Sequence, residues 1–507
     1  MALANPSPVS WLHRVQTLLL NLHEQYTLPW TWLGGLLYVA LIVLSMIHAL
    51  RNKRNIRAAT GWIGLMWFAP VVGIILYYLF GINRIQRRAK SRLQNRSPIN
   101  TPEPSAGAFE TSQVEDQLSP KDSHLGSLAR LTQGLTQLPL LDGNSIEPLF
   151  NGTEAYPAMM DAIDQAEDSI SLCSYIFAGS GIGKQFVEKL IAADKRGVEI
   201  RVIVDDVGAR HSNPSAVKQL NQSSIPVERF MHTWLPWKFR YANLRNHRKI
   251  MVVDGKLGFT GGMNISKLYW KPDRPSGEAP HRDLHFKLEG PIVSHLQYTF
   301  AEDWVFCHDE ELAGEKWFPD PEPSGTVLAR GISHGPDADY DKIRNTLLGA
   351  IATAEHSIRI VTPYFLPDED LITALQIASM RDISTNVYIP ENINLKLLQW
   401  ASQSTFEELL SRDVKIHRTP EPFDHSKIMV VDNSWVLLGS TNWDQRSLKL
   451  NFEFNVECYN KELSSKIVSH IKELEESART LQLEDIQNRS FPAKVRDDTV
   501  RLFTPYL

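Results

Sequence analysis

One short stretch occurs twice in this chain, and that duplication limits the folds open to it more than any other feature. Asn246-His247-Arg248-Lys249-Ile250-Met251-Val252-Val253-Asp254 is matched far downstream by Asp424-His425-Ser426-Lys427-Ile428-Met429-Val430-Val431-Asp432, and both read His-x-Lys-x4-Asp. A lone match arises by chance in about one chain in twenty-five, so a single copy would decide nothing. Here the flanks repeat as well, as Phe259-Thr260-Gly261-Gly262-Met263-Asn264 and Leu438-Gly439-Ser440-Thr441-Asn442. In each copy an aliphatic run separates the Lys from an Asp that opens an Asp-Gly or Asp-Asn turn, which reads as a strand entering a hairpin. Side chains two apart on a strand point the same way, so each imidazole shares a face with its ammonium while Asp254 and Asp432 lie at the turn.

The elements ahead of each motif repeat too. In the first half the pattern predicts a helix over Ala158 to Glu167, a strand over Ile170 to Phe177, a helix over Gly183 to Lys195 and a strand over Val198 to Val204. The second half runs Lys342 to Ala354, Ile358 to Pro363, Leu371 to Ala378 and Thr385 to Ile389 in the same order. This alternation argues for an α/β fold of two sandwich lobes packed face to face, and 507 residues leave room for both and for an N-terminal region. The expected boundaries are 1–90 for the N-terminal region, 91–138 for a Ser-, Pro- and Gln-rich polar linker, and 139–322 and 323–507 for the lobes.

That N-terminal region departs from a soluble enzyme. Thr31 to Leu50 is uncharged and long enough to cross a bilayer, and Thr60 to Asn83 is a second uncharged run, with Pro70 and Gly73 in its middle. The pair predicts a transmembrane helical hairpin; a re-entrant or interfacial second segment is the alternative that Pro70 favours. Arg51, Lys53, Arg54 and Arg57 lie between the runs and Arg84, Arg87, Arg88, Lys90 and Arg92 follow them, so the positive-inside rule is split. Placing the larger cluster inside puts the catalytic region in the cytoplasm. Cys173, Cys307 and Cys458 are odd in number, far apart and without metal-ligand spacing, which fits a reducing compartment. A net charge of -5 argues against sequence-tolerant nucleic-acid binding.

Two histidines and two lysines brought together by pseudo-symmetric lobes suit displacement at a phosphodiester. A neutral imidazole attacks phosphorus while a protonated one gives its proton to the departing oxygen. Lys249, Lys427, Asn264 and Asn442 can donate to the non-bridging oxygens. Asp254 and Asp432 complete the motifs as structural members, with hairpin support as their bland reading. Each imidazole also needs an acceptor to fix its tautomer, and Asp283 and Glu453 stand after the motifs as candidates. No metal or other cofactor is needed for this chemistry. Tyr175, Tyr364 and Phe365 read as core or as lining of a lipid entrance, and the tryptophans from Trp234 to Trp270 as residues for a membrane surface.

The paired motifs, followed by small residues and Asn, resemble the phospholipase D superfamily. Tyr175-Ile176-Phe177, Thr362-Pro363-Tyr364-Phe365, Asn442-Trp443-Asp444-Gln445-Arg446-Ser447 and Asn451-Phe452-Glu453-Phe454-Asn455, together with the hydrophobic N-terminus, look like the bacterial cardiolipin synthases. The resemblance implies duplicated phospholipase D-like lobes on a multi-pass protein of the bacterial inner membrane. It implies phosphatidylglycerol and cardiolipin as lipid partners, acidic partners at Asp283 and Glu453, and phosphatidyl transfer through a phosphohistidine, with His247 favoured as nucleophile. Two alternatives stay open: a phospholipase D with water as acceptor, and a non-catalytic membrane scaffold, which would be expected to have lost a motif member. Arg381-Asp382-Ile383-Ser384 and Arg412-Asp413-Val414 lack the glycine usual in the family at these turns.

Overall fold

The computed structural model describes residues 8–53, 56–81, 108–109, 114, 120–136, 138–210, 213–231, 244–273, 277–308, 310–336, 341–502 and 504. The chain divides into two compact units, Met1–Arg84 and Ile85–Leu507. The basic cluster 84–92, most of the expected linker and the tryptophans Trp234 and Trp237 lie outside the described residues.

In the N-terminal unit, helix α1 (Pro8–Asn52) contains the stretch Trp32–Asn52. It is the one helix among the described residues long and apolar enough to cross a membrane. The second hydrophobic run is not a continuous helix. It forms α2 (Ile56–Phe68) and α3 (Pro70–Leu76), broken at Ala69 with φ -138° and ψ 70°. Pro70 cannot donate to the helical ladder, and its ring disfavours a helical residue before it. The chain then doubles back: the rings of Trp62 and Tyr77 lie 5.5 Å apart, where a straight helix would hold those positions about 22 Å apart. Gly73 permits the return, because a Cβ there would meet the backbone of Leu65 at 2.7 Å. Tyr77 is also bonded to His48 Nδ1 of α1 at 2.8 Å. The expected two-span hairpin is thus replaced by one long helix and a folded-back pair.

In the larger unit, the first run of strands is β1 (Leu140–Phe150), β2 (Ser169–Ser174), β3 (Glu199–Asp205), β4 (Val227–Phe230), β5 (Arg245–Asn246), β6 (Ile250–Val253), β7 (Leu257–Gly261) and β8 (Leu284–Glu289). They pair in the order β1-β8-β7-β6-β2-β3-β4, with the last two pairings parallel and the others antiparallel. The second run is β9 (Val327–His334), β10 (Ser357–Val361), β11 (Ser384–Pro390), β12 (Lys415–Thr419), β13 (Ile428–Val431), β14 (Trp435–Gly439) and β15 (Asn451–Tyr459). Its order, β9-β15-β14-β13-β10-β11-β12, has the same parallel and antiparallel pattern. The β1–β9 and β5–β15 pairings and the Arg282–Asp424 bridge stitch the halves together.

The predicted helices and strands fall where the periodicity put them, as Asn151–Gln165, β2, Ile182–Arg196 and β3 in the first half and Lys342–Thr353, β10, Glu369–Met380 and β11 in the second. One buried cluster draws on both halves, with Ile250, Phe286 and Trp304 alongside Ile428, Phe454 and Val456, while two others lie under the outer helices of each half. At the glycine-poor turns Asp382 (φ 62°) and Asp413 (φ 59°) take the left-handed conformation, which a short polar side chain tolerates.

The polar linker ends sooner than expected. Leu125–Thr136 is a helix, α4, whose Leu125, Leu128 and Ala129 are buried in the core of the second half. Its seat is a fully buried ion pair: Arg330 Nε donates to Glu457 Oε1 at 2.6 Å, and Arg330 Nη2 to the carbonyl of Ala129 at 2.8 Å. Thr132, Trp435 and Tyr459 occupy further acceptor sites on Glu457, so the buried charge is well satisfied.

Candidate active site

Each motif reaches the site just ahead of its strand, since β6 begins at Ile250 and β13 at Ile428. Backbone bonds across the halves fix the two histidine segments in place. His247 N–H donates to the carbonyl of Phe452 at 2.8 Å, and His425 N–H to the carbonyl of Arg282 at 2.8 Å. The next residue after each of those carbonyls is the carboxylate that orients the ring. Glu453 Oε2 lies 3.1 Å from His247 Nδ1, and Asp283 Oδ2 lies 2.9 Å from His425 Nδ1. The pairing is therefore crossed, each histidine being held by an acid from the opposite half. With Nδ1 engaged, Nε2 is the nitrogen left for chemistry in both rings.

The lysines fold back onto their own motifs. Lys249 Nζ donates to the carbonyl of His247 at 2.6 Å; Lys427 Nζ donates to the carbonyl of His425 and lies 3.0 Å from its Nδ1. All four basic residues are buried. Burial brings Lys249 down to about 7, with Glu453 opposing and Lys427 adding to the shift. Lys427 is brought down to about 8 by burial, against the pull of Asp283 and Glu453. Burial lowers both histidines, His425 well below its ordinary value because Lys427 and Lys249 repel its charge as well.

The two carboxylates differ. Burial pushes Glu453 up, but His247, Lys249 and Ser440 outweigh it and hold the group below its usual range. Ser440 Oγ donates to Glu453 Oε2 at 2.5 Å and Asn451 Nδ2 to Oε1 at 3.1 Å. Asp283 is raised well above its usual range by burial, with Lys427 opposing the shift. Asn264 and Asn442 are both buried. The first accepts from the N–H of Ile176 at 3.2 Å, and the carboxamide oxygen of the second finds no partner among the described residues.

The motif aspartates are not brought to the histidines. Asp254 accepts the backbone N–H groups of Glu167, Asp168 and Ser169 at 2.7–3.0 Å, and Asp432 those of Glu355, His356 and Ser357 at 2.7–2.9 Å. Each sits at positive φ, 51° and 52°, in the first position of a turn whose second residue, Gly255 or Asn433, is also positive, as in a type I′ hairpin. Their bonds clamp the hairpin to the connection leading into β2 or β10. Among the described residues no group of three or more His, Cys, Asp or Glu is arranged to hold a metal ion.

Comparison with known proteins bears on what this geometry belongs to. The model of the cardiolipin synthase, PLD-like domain matches residues 159–304 and 347–475, and each segment contains one motif. A cardiolipin synthase of Geobacillus kaustophilus is 31% identical over 93% of this chain and 93% of its own length. The chain belongs to the phospholipase D-like cardiolipin synthase family. The major cardiolipin synthase ClsA of Bacillus subtilis is likewise 31% identical, over 93% of this chain and 98% of that protein. The phospholipase D-nuclease N-terminal model matches residues 40–81. Phosphatidylserine synthase of Haemophilus influenzae shares the fold, with a TM-score of 0.59 at 13% identity over 75% of this chain and all of that one.

Three contributors to this family site were not singled out in the sequence. Arg248, between the motif His and Lys, crosses to the other half. Its Nη1 meets Asp303 Oδ1 of its own half at 2.6 Å, while its Nη2 donates to Ser333 Oγ at 2.7 Å and its Nε to the carbonyl of Glu453 at 3.2 Å across the junction. Asp303 also accepts from Asn246 Nδ2 at 2.8 Å. Tyr269 places its hydroxyl 3.1 Å from His425 Nδ1. The only signal for Arg248 was the contrast with Ser426 at the same place in the second copy.

Proposed function

We propose that the chain is a membrane-anchored phosphatidyltransferase that converts two phosphatidylglycerol molecules into cardiolipin and glycerol. Its site is formed by two phospholipase D-like lobes, 139–322 and 323–507, with α4 packed on the second. The observation that carries this is the crossed pairing of two histidines with Glu453 and Asp283 over a pair of buried lysines.

The unlike carboxylates divide the work. Ionised Glu453 takes the Nδ1 proton of His247 in a hydrogen bond and leaves the Nε2 lone pair for attack on phosphorus. Asp283, held up by burial, keeps one proton on the Asp283–His425 pair, which serves as the acid. As the nitrogen–phosphorus bond forms, the bond to the glycerol oxygen breaks and that oxygen takes the proton from His425. In the second half-reaction the primary hydroxyl of the acceptor attacks, its proton passes to His425, and the nitrogen–phosphorus bond breaks. Lys249, Lys427, Asn264 and Asn442 donate to the non-bridging oxygens. Asp254 and Asp432 hold the hairpins. A phosphodiester stands on both sides of the intermediate, so the transfer is reversible.

Anchoring follows from the N-terminal unit: Trp32–Asn52 spans the bilayer and α2–α3 enters and leaves by one side. Arg51 and Lys53 stand at the end of that span, and the positive-inside rule makes their side the cytoplasm. Full-length protein in vesicles of labelled phosphatidylglycerol tests the activity. Cardiolipin should form, persist in the presence of a strong chelator, and disappear with His247→Ala or His425→Ala. Cardiolipin with labelled glycerol should return labelled phosphatidylglycerol. Phosphatidic acid as the sole product would make water the acceptor and replace this reading with hydrolysis.

A further inference from the structure

Asn394, Leu395, Lys396 and Leu397 form an exposed run on the second half, with Leu395 at 50% and Leu397 at 51%. They open the helix Lys396–Leu410, whose start is poorly built for water. Leu395 occupies the N-cap, where Ser, Thr, Asp or Asn would bond the first N–H groups, and its side chain makes no capping bond. The first turn has no acid to meet the positive end of the helix dipole and begins on a lysine instead. Asn394, next to the cap, is committed elsewhere, because its Oδ1 accepts from the Tyr364 hydroxyl at 2.7 Å. The helix is held by its other face, where Leu398, Ala401, Phe406 and Leu409 are buried.

A series of contacts leads from this run to a reacting histidine. Ile393 and Tyr364 pack with Leu366, Leu398 and Ala401 in one small apolar cluster, which fixes the run to the body of the second half. The Tyr364 ring lies 6.3 Å from that of Phe423, and Phe423 lies 6.2 Å from His425 and 5.1 Å from His281. The exposed leucines are thus the outer end of an aromatic path into the site. Between Asn392 and Phe406 the single charged residue is Lys396, so the face is apolar with one cation.

We propose that Leu395, Lys396 and Leu397 are the contact of the catalytic unit with a lipid bilayer, and that lipid enters from there past Tyr364 and Phe423 to His425. The leucines enter among the acyl chains, and the long stem of Lys396 leaves its ammonium at the anionic headgroups of phosphatidylglycerol. The inference rests on the reading of the site as one for membrane lipids and adds where they come in. Size decides against a protein occupant: a stable protein interface takes about 800 Å² from each side, far more than three side chains expose. A bilayer needs no such area, since the N-terminal span already keeps the chain at the membrane.

The test offers full-length enzyme one headgroup in two forms. In the first the enzyme is reconstituted into phosphatidylglycerol vesicles; in the second it is held in amphipol and given short-chain phosphatidylglycerol below its micellar concentration. Leu395→Ser combined with Leu397→Ser should lower cardiolipin formation in vesicles about tenfold to a hundredfold, for the apolar surface that no longer enters the bilayer. Lys396→Gln should cost about fivefold there, the effect of one cation at an anionic surface. Both should leave the rate on dispersed lipid unchanged, which also shows that the variants are folded. Cys173 and Cys458 are buried, so in a chain with Cys307→Ser a fluorescent label on Leu397→Cys reports this position alone. It should be quenched by lipids brominated in the upper acyl chain. A vesicle rate that stays at the wild-type value, an equal loss on both forms of the lipid, or an unquenched label overturns the contact. Crosslinking of two chains through Leu397→Cys, with the label unquenched, would give the face to a second copy and overturn the lipid assignment. Phosphatidic acid as the sole product of the wild type would overturn the transfer reading; a vesicle-specific loss in the same assay would still support the contact, so the two failures are distinguishable.

Discussion

Phosphate binding in this site should be coupled to proton uptake, and the two lysines set the size of the effect. In the empty site Lys249 sits at about 7 and Lys427 at about 8. A phosphodiester anion between them favours the ammonium forms and lifts both, so the ligand binds the protonated site. At pH values below that of Lys249 both groups are already charged, no proton is taken up and affinity is flat. Between the two values about one proton enters with the ligand and affinity falls about tenfold per pH unit; above both, the slope approaches two protons and about a hundredfold per unit. Calorimetric titration of His247→Asn, which cannot form the intermediate, with short-chain phosphatidylglycerol measures this directly. Paired buffers of different ionisation enthalpy, at about pH 6, 7.5 and 9, give the proton count from the difference in heat. Equal heats in both buffers and a flat affinity across that range would refute the coupling.

Three further outcomes follow from the same geometry. Glu453→Gln should lower kcat about a hundredfold or more at every pH, because His247 loses the charge that supports its attack. Asp283→Asn should instead move the alkaline limb of the pH profile down by about one unit or more, since the pair that supplies the acid then gives up its proton sooner; superimposable profiles for the two variants would rule out the division of roles. Asp254→Ala strips the acceptor from three backbone N–H groups and should cost about 2–4 kcal/mol of stability, read as a lower Tm, while the folded fraction keeps its kcat. Lys249→Met should do the opposite, removing transfer while raising Tm by about 2–4 °C for each kcal/mol recovered from an ammonium held in a buried site.

Local order was legible in the sequence, and long-range geometry was not. The two motifs, their hairpins and the alternating helices and strands are written in periods of a few residues, and the structure places them accordingly. The Asp283 and Glu453 carboxylates could be picked out as acids following each motif, but their crossing could not, because spacing along the chain does not say which half a side chain will face. Arg248 gave almost no signal, since an x position between His and Lys reads as solvent-facing until the opposite sheet covers it. The second hydrophobic run shows a different failure. Apolar composition counts residues without their direction, so α2 and α3 sum to the length of a span although Pro70 and Gly73 fold them back. Likewise Pro120 to His124 made the approach to α4 look polar, while Leu125, Leu128 and Ala129 already marked a buried stripe.

The crossed pairing carries a consequence for how such a chain can change over generations. Each half holds the carboxylate on which the other half's histidine depends, through pairs 3.1 and 2.9 Å apart. Once two copies came to share a chain in this way, neither could decay quietly under cover of its twin, because the freedom of a spare copy to drift after gene duplication is lost here. A damaged Glu453 disables a histidine encoded far upstream, which places both halves under a single selective constraint. Cut between the halves, the gene would yield two inert polypeptides that regain a working histidine only by finding each other.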